Sequence, residues 1–180
     1  VAAAAGTSVA ALTYRKRLTV ALELLGLALV AAMSASFVGA RLASSVPKSA
    51  FRPIVIVVLV GVLALTLRRP DLGTRATVDR PRAQQRRRLL AIAAVVGLYD
   101  GLIGPGTGTF FTIALVLLVG FDFLSATATA KVLNLGTNLA ALGWFLPHGA
   151  VRWSLALPMA ASNLVGGFTG ARLALRRGAE

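Results

Sequence analysis

A chain of 180 residues that is 57% hydrophobic and 14% charged, with a mean hydropathy of +0.78, has too little polar material to cover a soluble globule. Its apolar residues come in long blocks, so it reads as an all-α polytopic membrane protein whose surroundings are the lipid bilayer. A net charge of +13 would point to nucleic acid in a soluble domain. Here the basic residues sit in short loops between apolar blocks, as the positive-inside rule describes, and no nucleic-acid partner is expected. The absence of cysteine excludes disulfides and thiolate metal sites.

The first apolar block, residues 1–14, is too short to cross a hydrocarbon core of about 30 Å at about 1.5 Å per residue. It reads as the tail of a helix and lacks the basic flank of a signal peptide. Arg15, Lys16 and Arg17 close it. Residues 18–40 are long enough to span, with Glu23 the one ionisable side chain among them. Arg41, Lys48 and Arg52 bracket the next turn, and Pro53 opens a third block at 54–67, a placement proline tolerates at a first helical turn. Residues 68–88 carry eight arginines against Asp71 and Asp79, with Pro70 and Pro81 as breakers. They read as a solvated cytoplasmic loop held near anionic head groups.

Two further apolar runs, 89–103 and 110–119, flank the segment Gly-Pro-Gly-Thr-Gly-Thr at 104–109. Proline removes a backbone donor and glycine adds conformational entropy, so this segment interrupts a helix. Broken backbone and the Asp100 carboxylate are tolerated at membrane depth only where they are packed in protein or line a polar cavity. The two runs form either one broken span or a re-entrant hairpin. A span at 123–146 follows, unusually polar with Thr127, Thr129, Lys131, Asn134, Thr137 and Asn138. A Pro-His-Gly turn at 147–149 precedes the last block, 151–175.

An internal repeat is visible. Gly-Thr-Ser-Val-Ala-Ala-Leu at 6–12 matches Gly-Thr-Asn-Leu-Ala-Ala-Leu at 136–142, and Phe-Val-Gly-Ala-Arg-Leu-Ala at 37–43 matches Phe-Thr-Gly-Ala-Arg-Leu-Ala at 168–174. The offsets, 130 and 131, divide the chain into the remainder of a first repeat (1–67), the Arg-rich loop (68–88) and a second repeat (89–180). By that register the chain reads as the middle of an eight-segment protein. A spanning Gly-Pro segment makes the halves parallel and puts the basic residues at 15–17, 68–88 and 152 on one side. A re-entrant one makes them inverted and gathers 15–17, 68–88 and 172–177.

Enzyme templates fail: there is one histidine, no His-Glu-x-x-His pattern, and no Gly-Lys-Ser/Thr ending to make the glycine-rich segment a P-loop. No catalytic residue, metal or cofactor is implied. Gly104, Gly106 and Gly108 can instead expose backbone N–H groups at the start of the half-helix near Phe110, where partial positive charge attracts an anion, with Thr107 and Thr109 adding hydroxyls. Lys131 is the natural companion, because a cation inside a span faces a cavity or a partner. Asn134, Thr137 and Asn138 share roughly its face. The competing reading of these residues is bonding between helices, and of Lys131 snorkelling or pairing with Asp122 or Asp100. Asp100 is left with three roles: pairing with Lys131, carrying a coupling proton, or capping a half-helix. Gly6, Thr7 and Ser8 are the repeat partners of 136–138 and can complete the site. Gly39, Gly166, Gly167 and Gly170 read as close helix packing. Trp144 and Trp153 read as an aromatic belt, and His148 as an interfacial residue rather than a proton relay.

Gly-Leu-Tyr-Asp-Gly-Leu-Ile-Gly-Pro-Gly-Thr-Gly-Thr-Phe at 97–110 and Ala-Thr-Ala-Thr-Ala-Lys-Val-Leu-Asn-Leu-Gly-Thr-Asn-Leu-Ala-Ala-Leu at 126–142 resemble the second half of TauE/SafE permeases, also called sulfite exporters. The resemblance covers 97–174 well and 1–67 more loosely. It implies two four-segment repeats in a bacterial inner-membrane protein that moves small sulfur-containing anions such as sulfite or organosulfonates. It departs from the family in length, since the first glycine-rich segment and the last helix are missing. Exact substrate, direction, coupling ion and oligomeric state stay open at this level.

Overall fold

A computed structural model of the chain describes residues 1–14, 18, 20–47, 49, 53–57, 59–61, 64 and 81–177, with side chains as far as 173. The described residues are all-α: α1 (Ala2–Tyr14), α2 (Leu22–Ala43), α3 (Arg82–Leu102), α4 (Thr107–Ala114, prolonged by a π-helical stretch Leu115–Val119), α5 (Phe123–Phe145) and α6 (Trp153–Arg177). Residues 53–57 and 59–61 are also helical, with Ile54, Val57 and Val60 exposed. By length and composition α2 suffices to cross a membrane.

The Arg-rich stretch is shorter as a loop than its charge implied, because α3 begins at Arg82. Arginine and glutamine are good helix formers. Pro81 stands just before them with an extended ψ of 135°, and its carbonyl accepts the N–H groups of Gln84 and Gln85. The rest of the expected loop, 68–80, lies outside the described residues.

Large apolar side chains such as Leu22, Val30, Val95, Leu155 and Val165 face outward, while the core of leucines, alanines and Phe111 also encloses Ser36, Asp100, Thr107, Ser125, Thr129 and Thr137. An apolar exterior with its polar groups buried is what hydrocarbon surroundings require.

α2 and α3 lie backbone to backbone. A Cβ on Gly97 would stand 2.6 Å from the Ala32 carbonyl oxygen, one on Gly101 would fall on that of Ser36, and one on Gly39 on that of Leu98. Glycine is needed at all three because the opposing atoms are main chain and cannot yield. Gly167 has the same function against Gly6. Gly166 and Gly170 do not: a Cβ on either meets nothing within 4 Å, so the packing expectation fails there.

The question of span or hairpin is decided by α3 and α4, which fold back on each other. Tyr99 meets Phe110 edge to face at 5.0 Å, Leu89 shares a core with Leu115 and Val119, and Arg88 Nη1 donates to the Leu118 carbonyl at 2.7 Å. The hairpin is about 20 Å deep from Arg88 to its tip, short of a full core of about 30 Å. Gly120, left-handed at φ 93°, ends α4 with its N–H on the Leu115 and Val116 carbonyls.

Helix directions follow from the contacts. α2, α3 and α5 run the same way: Leu25 packs in one cluster with Leu89, Ser36 Oγ donates to the Thr137 carbonyl at 2.8 Å, and Trp144 Nε1 donates to Ser44 Oγ at 2.9 Å. α1 and α6 run opposite to them, with Ala3 near Ala141, Tyr14 against Ala128 and Ala171, and Gly6 against Asn163. The sequence-matched helices are therefore antiparallel, α1 to α5 and α2 to α6.

Two outcomes check this fold. Gly101→Ala lowers the thermal stability of the full-length protein in detergent by at least about 1–3 kcal/mol, the usual cost of overpacking, whereas Gly26→Ala, with nothing within 4 Å of its Cβ position, is neutral or slightly stabilising. Because the chain has no cysteine, single cysteines at Ala83 and Phe123 label with an impermeant maleimide from one side of the membrane, and one at His148 from the other; Ala83 and Phe123 on opposite sides would refute the hairpin.

Candidate functional site

The hairpin tip is a turn with left-handed glycines on either side of Pro105: Gly104 at φ 89° and Gly106 at φ 82°. A side chain at either would be strained. Tyr99 on α3 donates its hydroxyl to the Pro105 carbonyl, fixing the turn to the helix below it. Thr107 opens α4. Its Oγ1 lies 2.6 Å from Asp100 Oδ1 and 2.5 Å from the Gly104 carbonyl, a tie across the break.

The tip abuts the middle of α5. Lys131 and Asn134 are about 12 and 17 Å along a helix of about 34 Å, and a Cβ on Gly108 would lie 3.6 Å from Asn134 Nδ2 and 3.9 Å from Lys131 Nζ. Gly104, Gly106, Thr107, Gly108, Asn134 and Asn138 line one cavity of about 420 Å³, together with Asp100. That is room for a small ligand. Lys131 lines a neighbouring cavity of about 530 Å³ between α1, α5 and α6, with Ala3 common to both. Of the remaining candidates, Thr109 and Thr137 line neither. Thr137 is buried beneath the site and donates to the Asn134 carbonyl at 3.0 Å.

Several alternatives close here. Lys131 makes no ion pair with Asp100 or Asp122. Asp122 is the N-cap of α5, its Oδ1 accepting the N–H of Leu124 at 3.0 Å and of Ser125 at 2.9 Å. Asp100 accepts no backbone N–H, so it caps neither half-helix, and its Oδ2 is buried without any partner. The Asn134 and Asn138 side chains do not bridge helices: Asn138 Nδ2 donates to the carbonyl and side chain of Asn134 within α5, at 2.6 and 3.1 Å. Trp144 is more than a belt residue. Besides bonding Ser44, it stands edge-on to Phe37 at 5.4 Å and stacks on exposed His148 at 4.2 Å.

Gly6 and Thr7 line the second cavity rather than the one at the hairpin tip, and Ser8 turns its hydroxyl back to the Ala5 carbonyl. Sequence reasoning missed Asn163, which lines that cavity from α6, and Thr127, whose buried Oγ1 has no partner there. A lone asparagine in an apolar block is a signal that could have found the first. At the tip, Thr107→Val removes the tie between hairpin and α3 and costs about 1–3 kcal/mol in a thermal melt of the full-length protein; Thr107→Ser keeps both bonds and most of the stability.

Known proteins agree with this picture. The family model described as "Sulfite exporter TauE/SafE" matches residues 1–180. The chain is 38% identical over 177 residues to a probable membrane transporter protein, ORF9, of a Sinorhizobium species, covering 97% of this chain and 66% of that protein. It is 34% identical over 181 residues to the probable membrane transporter protein YfcA of Escherichia coli K12, covering 97% and 65%, and 30% identical over 176 residues to a probable membrane transporter protein of Haemophilus influenzae, covering 96% and 67%. The chain thus spans about two thirds of the length of the curated relatives it matches. No solved structure matches it. An all-α bundle with a polar interior, a Gly-Pro hairpin against the Lys131 helix, and a family match over its whole length make this chain a membrane protein of the TauE/SafE family.

Proposed function

We propose that the chain supplies half of the substrate site of a multi-pass cell-membrane transporter, and that the substrate is a small sulfur-containing anion such as sulfite or an organosulfonate, moved outward. The observation that carries the anion reading is the approach of Lys131 Nζ to Gly108, with no counter-ion among the described residues, beside the N-terminus of α4. An unpaired ammonium and a positive helix end at mid-bundle are favourable for an anion and costly without one. The asparagine pair at 134 and 138 adds polar groups in the adjoining cavity at the hairpin tip. The antiparallel sense of the matched helices supports an inverted repeat, the arrangement in which transporters hold a substrate at the repeat interface. "Sulfur-containing" and "outward" rest on the family description alone.

The competing reading is a non-transporting accessory subunit whose polar motif only packs helices. The side-chain bonds between Asn134 and Asn138 stay inside α5, which favours the first reading, although the Thr137 carbonyl does accept Ser36 from α2. In the full-length protein, Lys131→Ala lowers sulfite efflux at least tenfold with membrane insertion unchanged; unchanged efflux removes Lys131 from the site. Purified full-length protein gains about 2.7 kcal/mol of stability at a sulfite concentration of 100 Kd. No stabilisation by sulfite or by any organosulfonate favours the accessory subunit.

A further inference from the structure

The anion cavity contains a carboxyl group, and no cation among the described residues pairs with it. Asp100 is nine-tenths buried, with 9% of its surface exposed, and lines the cavity at the hairpin tip. α2 presents Ser36 and Ala40 to this stretch of α3, α1 brings Ala3 to the cavity, and α4 contributes Thr107. α5 contributes Asn134, Asn138 and the hydroxyl of Thr137. On α3 itself Tyr99 is engaged with Pro105, and the cation on α5, Lys131, is not paired with Asp100.

The hydrogen bonds around Asp100 can be counted proton by proton. Thr107 has one hydroxyl proton and stands within bonding distance of two oxygens, Asp100 Oδ1 at 2.6 Å and the Gly104 carbonyl at 2.5 Å. The carbonyl can only accept. Two full hydrogen bonds, rather than one proton shared between two acceptors, require that Thr107 donates to Gly104 while Asp100 Oδ1 carries a proton and donates to Thr107. The Thr137 hydroxyl, the other one beside the carboxyl, stands 3.0 Å from the Asn134 carbonyl. A neutral acid also accounts for Oδ2, which has no partner. An ionised oxygen left bare in that position would be far more costly than a neutral carbonyl.

We propose that Asp100 is the proton carrier of the transporter, protonated in this conformation, so that anion and proton occupy the cavity together. This rests on the anion reading above. In the step itself the Oδ1–H bond breaks, the proton passes to water at one membrane face, and a carboxylate remains; recapture from the other face restores the acid. A bound anion disfavours that carboxylate, so anion and proton strengthen each other's binding reciprocally, and each anionic charge crosses with one proton.

The test uses full-length wild-type protein and Asp100→Asn, which keeps the shape and a donor toward Thr107 but cannot release a proton. By infrared spectroscopy near neutral pH, the wild type shows a protonated-carboxyl C=O stretch that Asp100→Asn lacks; no such difference overturns the proposal. In proteoliposomes the probes are sulfite and methanesulfonate, the latter staying ionised so that any proton moved is the protein's. Asp100→Asn loses pH-gradient-driven accumulation at least tenfold, while its counterflow exchange falls by a smaller factor. Accumulation equal to wild type overturns proton carriage, and so does loss of counterflow in a variant that melts like wild type, which makes Asp100 an anion contact. If the wild type moves neither probe but the carboxyl band is present, the sulfur-anion reading falls and the protonated Asp100 stands.

Discussion

Everything at the site depends on two helices touching through their backbones. α3 can lie on α2 only because Gly39, Gly97 and Gly101 have no side chains where the opposing carbonyls stand. That contact holds α3 firmly enough for the chain to break after Leu102 and return as α4. In hydrocarbon a free turn of this kind would expose unpaired N–H and C=O groups at several kcal/mol each. Here the turn is enclosed by α5 and bonded internally through Tyr99 and Thr107. Removal of the glycine contacts would leave the hairpin without the support that makes its broken backbone tolerable.

The interior then holds two ionisable groups that do not neutralise each other. Lys131 lies at the boundary between two cavities, and Asp100 lies beneath the tip among hydroxyls and amides. A direct ion pair would have been the simplest way to place both in a bundle and would have made a structural clamp. On the proposed function, an anion answers the ammonium and a proton the carboxyl, and the two complement each other because an anion and a proton together carry no net charge through a medium of low dielectric.

The second cavity fits the same logic of duplication. Its α6 lining includes Asn163, Gly167, Gly170 and Ala171. At the repeat offset of 131 these correspond to Ala32, Ser36, Gly39 and Ala40 on α2, the residues against which α3 is seated. The open space at Gly170 thus has as its counterpart the filled space at Gly39.

Much of this was legible from residues alone. Block hydrophobicity marked the membrane class, Gly-Pro-Gly marked the break, and the polar face marked α5 as the helix beside it. These are local or periodic signals, written in consecutive residues, and they need no knowledge of neighbours. The tertiary structure alone decided that the Gly-Pro segment turns back rather than spans, since that depends on Arg88 meeting Leu118 and Tyr99 meeting Phe110 across the hairpin. It likewise decided that Asp122 caps a helix, that Asp100 has an unpartnered oxygen, and that Lys131 stands apart from both. Pairing between charges is set by distance in three dimensions, and the order of residues as far apart as Asp122 or Asp100 is from Lys131 carries no record of that distance.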